Sequence, residues 1–172
     1  MKFLSLVVLF VCVSGAVGQS NSSFYVSTTG ADSNPGTQTS PWRTVQHAAD
    51  TVRAGSNVNV RGGVYEELVS IKASGNATDG YITFRSYPGE TAVLDAEHFA
   101  PDGRSGILTI HNKSYVRIEG FEIRNYRTAE HRLTPLGISV IGAGSHIELL
   151  KNKGGDPDVK QGALRSGNRK VL

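Results

Sequence analysis

Gly106-Ile107-Leu108-Thr109-Ile110-His111-Asn112-Lys113-Ser114-Tyr115-Val116-Arg117-Ile118 returns thirty-one residues on as Gly137-Ile138-Ser139-Val140-Ile141-Gly142-Ala143-Gly144-Ser145-His146-Ile147-Glu148-Leu149, without a gap. Gly, Ile, Ile and Ser recur at matching places, and Val116/Ile147 and Ile118/Leu149 keep apolar character. Each copy reads as a G-I-x-x-I strand, a tight polar turn ending in Ser, and a second alternating strand, which is the layout of one solenoid coil. Two hairpins of a β-sandwich could carry the same pattern; the two readings part on whether residues 107–110 and 138–141 lie side by side.

Working outward, the chain upstream repeats the same texture. Period-two runs at Val58/Val60, Val64, Leu68/Val69/Ile71, Ile82/Phe84 and Val93/Leu94 are short strands. Corners such as Arg61-Gly62-Gly63, Ser74-Gly75-Asn76 and Tyr87-Pro88-Gly89 separate them. Phe24-Tyr25-Val26-Ser27 is a further strand, followed by the turn-rich Thr29 to Gly36. One segment has helical spacing: Ser40 as cap, Pro41 at the first position, and Trp42, Val45, Ala49 and Val52 on one apolar stripe, with Gly55 as the stop. Arg43, Gln46, Asp50 and Arg53 are expected to face water. The predicted helix spans about 41–54.

The ends have a different composition. Lys2, the apolar run Phe3 to Val13 and the small residues Ser14 to Gly18 read as a secretory signal peptide over 1–18. That run is too short to cross a bilayer, so a secreted, extracellular protein with no membrane span is expected. Cys12, the one cysteine, lies in that leader, so no disulfide can brace residues 19–172. Asn21, Asn76 and Asn112 head N-x-S/T sequons, glycosylation acceptors in a eukaryotic secretory route. Residues 19–150 hold 11 Lys+Arg against 13 Asp+Glu, whereas residues 151–172 hold 6 against 2. The net charge of +3 therefore belongs to the tail, and with no aromatic residue there to stack on bases, nucleic acid is not an expected partner. The strand pattern stops after Lys151-Asn152, and 151–172 is read as a disordered tail behind a β-helix domain over 19–150.

Phe24 to Thr37, Ser40-Pro41-Trp42-Arg43-Thr44-Val45-Gln46-His47-Ala48-Ala49, Val58 to Tyr65, Ile82 to Glu90 and Val116-Arg117-Ile118-Glu119-Gly120-Phe121-Glu122-Ile123-Arg124-Asn125 occur in that order. Together they resemble the opening of secreted right-handed parallel β-helix, pectin-lyase-like proteins with a DUF1565-type N-terminal region, which include family 9 pectate lyases. The resemblance implies an all-β solenoid whose N-terminal coils are covered by the helix. It also implies a polysaccharide lyase chemistry, β-elimination of uronic-acid polymers such as pectate with Ca²⁺ as cofactor. Such proteins run to about ten coils, and this chain offers about four, so it is expected to be an N-terminal fragment that stops before the catalytic coils. No catalytic residue is carried over. The alternative is a non-catalytic extracellular carbohydrate-binding or structural module; in either case a monomer is expected.

Read singly, few residues suggest chemistry. Asp95 with Glu97 supplies fewer oxygens than the six to eight that Ca²⁺ takes, and a solvated corner is the simpler reading. Glu119 and Glu122 alternate with apolar neighbours and are placed outward. His47, His98, His111, His131 and His146 show no metal-ligand spacing, and no G-x-S-x-G elbow occurs. Asn125 is read as a member of an asparagine ladder. Trp42 is read as packing, and Tyr65, Tyr81, Tyr87, Tyr115 and Tyr126 as available to sugar rings. The insertion between repeats, Tyr126 to Pro135, is the predicted contact with an acidic polysaccharide, through Tyr126, Arg127, His131 and Arg132, because solenoid insertions gather on one face.

Overall fold

The computed structural model describes residues 22–102, 105–127 and 136–154. Twelve short strands and one helix appear in these residues: β1 (Ser23–Val26), α1 (Val45–Thr51), β2 (Asn57–Val60), β3 (Gly63–Tyr65), β4 (Val69–Ile71), β5 (Ile82–Ser86), β6 (Ala92–Asp95), β7 (Gly106–His111), β8 (Val116–Glu119), β9 (Glu122–Arg124), β10 (Leu136–Ile141), β11 (Ile147–Leu150) and β12 (Lys153–Gly154). Every strand pairing is parallel, in three sheets ordered β1-β2-β5-β8-β11, β12-β9-β6-β3 and β10-β7-β4. The chain visits the three in turn, so each circuit makes one coil of a β-solenoid of about four turns.

Stacking coils puts like side chains on top of one another. Phe24, Val58, Phe84, Ile118 and Leu149 are successive register partners on the inner side of the first sheet. Tyr65, Leu94 and Ile123 do the same in the second, and Ile71, Ile110 and Val140 in the third. These rows are the core: Val58, Phe84, Leu94, Ile110 and Ile118 are fully buried, and burying one such side chain is worth roughly 1.5–3 kcal/mol. Corners recur as the strands do. Tyr115 and His146 both take φ near +55°, and Gly120 and Lys151 are likewise left-handed (φ 75° and 54°) at the next corner.

The sequence repeat and the structural repeat differ by one residue in part of the coil. Ile147 pairs with Val116 and Leu149 with Ile118, as the sequence alignment places them. In the preceding strand, however, Ile138 pairs with Leu108 and Val140 with Ile110, one residue out of that alignment. The slip is absorbed at the turn, where Gly142 (φ 82°) lies against the Asn112 side chain and the Ala143 amide donates to Asn112 Oδ1 at 2.9 Å. A side chain at Gly142 would collide with that oxygen. Packing of Ile138 and Val140 in the core outweighs the identity of the Gly-Ile pairs, because a one-residue slip exchanges inner and outer faces.

α1 is shorter than the sequence implies. Thr44 is its N-cap, accepting from the His47 amide at 3.1 Å, and Val52 ends it. Ser40 and Pro41 stand outside it because Trp42 is drawn into strand-like pairing: its amide donates to Tyr25 O and its carbonyl accepts from Ser27 N. The predicted stripe is buried nonetheless, Trp42 stacking on Phe24 with centroids 4.8 Å apart. Gln46 is half-buried rather than fully solvated. Its amide donates to Ser70 O and accepts from Ser70 N (2.7 Å), so the helix offers a side-chain copy of a peptide group to β4, the edge of the third sheet.

Glu67, just before β4, completes the attachment, its two carboxylate oxygens accepting from the Val45 and Gln46 amides at 2.8 and 2.9 Å. Asp32 holds the turn ahead, accepting from the Arg43 and Thr44 amides and the Thr44 hydroxyl. At the far end β12 adds two residues beyond the expected last strand, Lys153 and Gly154 pairing with Glu122 and Ile123. The remainder of the expected disordered tail lies outside the described residues. Glu67→Ala leaves two helix-start amides without their acceptor, and should cost about 1–2 kcal/mol, read as a lower urea midpoint at neutral pH with an unchanged m-value.

Candidate functional site

Two surfaces offer polar chemistry: the corner between the second and third sheets, where the predicted glycan loop lies, and the outer face of the five-stranded sheet.

At the corner, the structure redistributes the predicted residues. Tyr126 is 1% exposed and belongs to the core, so it is not a surface contact for sugar. Its apolar ring fills the interior where the chain leaves β9, and burial pushes its hydroxyl pKa up. Arg127 is exposed at the loop's start. His131 and Arg132 lie outside the described residues, as does the sequon residue Asn21. Asn76 and Asn112 are both exposed. Asn76 Oδ1 accepts from the Thr78 and Asp79 amides, and Asn112 holds the neighbouring coil as described.

Asp95, at the end of β6, is a buried acid rather than a solvated corner: the residue is 4% exposed. Arg124, its register partner on β9, donates to Oδ2 at 2.9 Å, Asn125 Nδ2 lies 3.0 Å from both oxygens, and the Glu97 amide donates at 3.0 Å. Asn125 (φ 64°) therefore bonds to an acid, not to another asparagine. Burial works to raise the Asp95 carboxyl, but the hydrogen bonds from Arg124, Asn125 and the Glu97 amide, with the Arg124 charge, outweigh it and hold it below the usual carboxylate range. With a guanidinium on one oxygen and donors on both, Asp95 and Glu97 do not fit Ca²⁺, and among the described residues no group of three or more His, Cys, Asp or Glu could hold a metal ion.

The outer face of the first sheet is lined by arginine and tyrosine. Arg117 lies over the Tyr81 ring (4.8 Å) and donates to Glu148 at 2.6 Å. Tyr81, Tyr115 and His146 follow one another at the strand starts, Tyr115 and His146 stacked with centroids 4.1 Å apart. Ser74, Ser114 and Ser145 run alongside, the Ser74 hydroxyl accepting from the Ser114 amide and the Ser114 hydroxyl from the Ser145 amide. Further along, Arg61 pairs with Glu90 and lies 4.8 Å over Tyr87, which sits 6.3 Å from Tyr25. Glu119 pairs with Lys151 at 3.7 Å, and Glu122 with Arg124. Of the aromatic residues considered for sugar stacking, Tyr65 and Trp42 are buried, while Tyr81, Tyr87 and Tyr115 are half-buried on this face.

Sequence reasoning missed Glu67, Asp32 and Gln46, whose partners are remote in sequence. It had a signal for Arg117 and Glu148, opposite charges at matching positions of the repeat.

The comparisons concern this same span. The family described as "Pel9A-like, right handed beta helix region" matches residues 24–160. A pectate lyase of Emericella nidulans, PEL9, is 31% identical over 134 residues, 75% of this chain and 32% of that protein. The Bacillus subtilis protein YwoF is 38% identical over 130 residues, 74% of this chain and 27% of that protein. The chain thus spans about a third or less of the length of these relatives. Among solved structures, a rhamnogalacturonan lyase superposes with a TM-score of 0.62 at 19% identity, covering 74% of this chain and 34% of that one. A GH136 lacto-N-biosidase from Eubacterium ramulus reaches 0.64 at 18% identity, over 77% and 26%. These two likenesses are of fold. Among the described residues no helix is long and apolar enough to cross a membrane.

Since the Asp95 carboxyl lies lower in the folded than in the unfolded chain, its stabilisation is full above the unfolded value of about 3.9 and is lost as pH falls through the folded value. Asp95→Asn should lower stability at neutral pH by roughly 1–3 kcal/mol and make the acid limb below about pH 4 shallower, measured by urea unfolding across a pH series.

Proposed function

Because this chain belongs to the Pel9A-like right-handed β-helix family, we propose that it forms the helix-covered N-terminal coils of an extracellular polysaccharide-processing protein, lyase-like toward uronic-acid polymers in its whole form. The observation that carries the reading is the alignment of 75% of the chain with a pectate lyase, at 31% identity. The fold gives it a physical basis. A parallel solenoid offers long, flat outer faces on which a linear polymer can lie across several coils.

The residues described here are suited to holding such a polymer. Asp95 is locked by its own partners, and the outer-face carboxylates Glu90, Glu119 and Glu148 are each paired with a base, Arg61, Lys151 and Arg117. β-Elimination needs a base placed at the proton beside a uronate carboxylate, and in this reading the whole protein supplies it on further coils. A non-catalytic carbohydrate-binding module is the second reading, favoured by the half-buried tyrosines and arginines of the first sheet.

The two are separated by grafting this chain in place of the matching residues of the pectate lyase relative, then following the unsaturated product from polygalacturonate with Ca²⁺ by absorbance. The lyase reading expects elimination by the graft and none by the chain alone. A folded graft that binds uronan but yields no product would overturn it in favour of the binding module.

A further inference from the structure

One arginine on the outer face of the first sheet is held differently from the others. Arg61 is matched by Glu90, and Arg117 by Glu148. Arg85, on β5, is held by a neutral amide: its Nε donates to Asn59 Oδ1 at 2.8 Å. Asn59 is its register partner on β2, only 3% exposed, and is itself fixed by donating to Phe24 O. The next residue in the same row, Glu119, pairs with Lys151. No ion pair between Arg85 and a carboxylate forms among the described residues.

The surroundings complete a subsite. Tyr25, Asn59 and Arg85 are successive register partners, and Tyr87 follows Arg85 by two residues, on the same face of an extended chain. Tyr25 and Tyr87 sit 6.3 Å apart, tilted by 48°, and the Arg61 guanidinium, itself paired with Glu90, lies 4.8 Å over the Tyr87 ring. With Nε held by Asn59, the two terminal amino groups of Arg85 remain as a planar fork, whose geometry matches a carboxylate bidentately. A neutral sugar has no group of that shape and charge.

We propose that Arg85, braced by Asn59 and flanked by Tyr25 and Tyr87, is a subsite for the carboxylate of a uronic-acid residue, binding the polymer on the first coils at a distance from any cleavage. This rests on the reading of the protein as one that handles acidic polysaccharide, and it assigns that substrate class to particular side chains.

The test is calorimetric titration of the whole 172-residue chain with trigalacturonate, and with galactotriose of the same linkage as the neutral probe, at one fixed low salt concentration. The expected result is measurable trigalacturonate binding that weakens about tenfold or more in Arg85→Met, with galactotriose binding no better than the variant binds uronate. Circular dichroism melts establish that the variant is folded. Should Arg85→Met fail to fold, Arg85→Lys decides, since it keeps charge and stem but not the fork: about threefold or greater weakening supports the subsite, and unchanged affinity overturns it. Equal binding of trigalacturonate by wild type and Arg85→Met, equal affinity for the neutral probe, or no binding of trigalacturonate each overturns it too. A grafted protein that cleaves polygalacturonate while the Arg85 variants bind unchanged would sink the subsite and leave the lyase reading standing.

Discussion

Parallel pairing between successive coils is the constraint on which everything else in this molecule depends. A single three-residue strand such as β3 or β4 has no stability of its own. It persists because its backbone groups are taken up by the strand of the next coil, and because Tyr65 or Ile71 stands on the like-placed side chain of its neighbour. The same arrangement creates a difficulty at the first coil, where no strand of the described residues pairs with the outer edges of β1, β3 and β4. α1 answers it by two means: the apolar stripe from Trp42 to Val52 covers the interior, and Gln46 imitates a peptide group toward Ser70. Glu67 and Asp32 then bind the helix start to the coil it covers, so the lid and the column are joined by hydrogen bonds as well as by apolar packing.

Much of this was legible in the residues. The thirty-one-residue recurrence of Gly106–Ile118 pointed to coils, and residues 107–110 do lie beside 138–141 in a parallel pair. Strand periodicity found β1 to β6 within a residue or two, and the stripe on α1 was correctly read as buried. The failures have physical causes. Ser40 and Pro41 look like a helix start, but local capping preference lost to the pairing of Trp42 with Tyr25 and Ser27, a contact that only the folded chain makes. Gln46 was assigned to water because helical spacing says where a side chain points and not what stands opposite it. The one-residue slip at β10 was hidden because identical Gly-Ile pairs favour one alignment and the packing of Ile138 and Val140 another.

The candidate site was less legible still. Tyr126 looked like an exposed aromatic residue in an insertion and is instead core, since the insertion begins one residue later. Asp95 looked like half of a metal site or a wet corner; its register partner Arg124 on β9 gives it a guanidinium, and Asn125 just beyond β9 an amide. Such cross-coil relations join residues about thirty positions apart, and a single sequence exposes them only where a repeat is visible, as with Arg117 and Glu148. Arg85 and Asn59 lie outside the detectable repeat, which is why their pairing emerges from the structure alone.

The corners differ in length while the strands stay in step. Between the second and third sheets, residues 66–68 alone join β3 to β4, whereas residues 96–105 join β6 to β7 and residues 125–135 join β9 to β10. All three connections span the same corner, and the strands on either side of it stay in register. An insertion at this corner is therefore cheap in evolution: a lineage can lengthen, shorten or replace the loop and inherit the rest of the scaffold unchanged. Divergence of ligand preference among proteins built this way would then accumulate at that edge, while positions such as Asn59 and Gly142, tied into two coils at once, would change slowly.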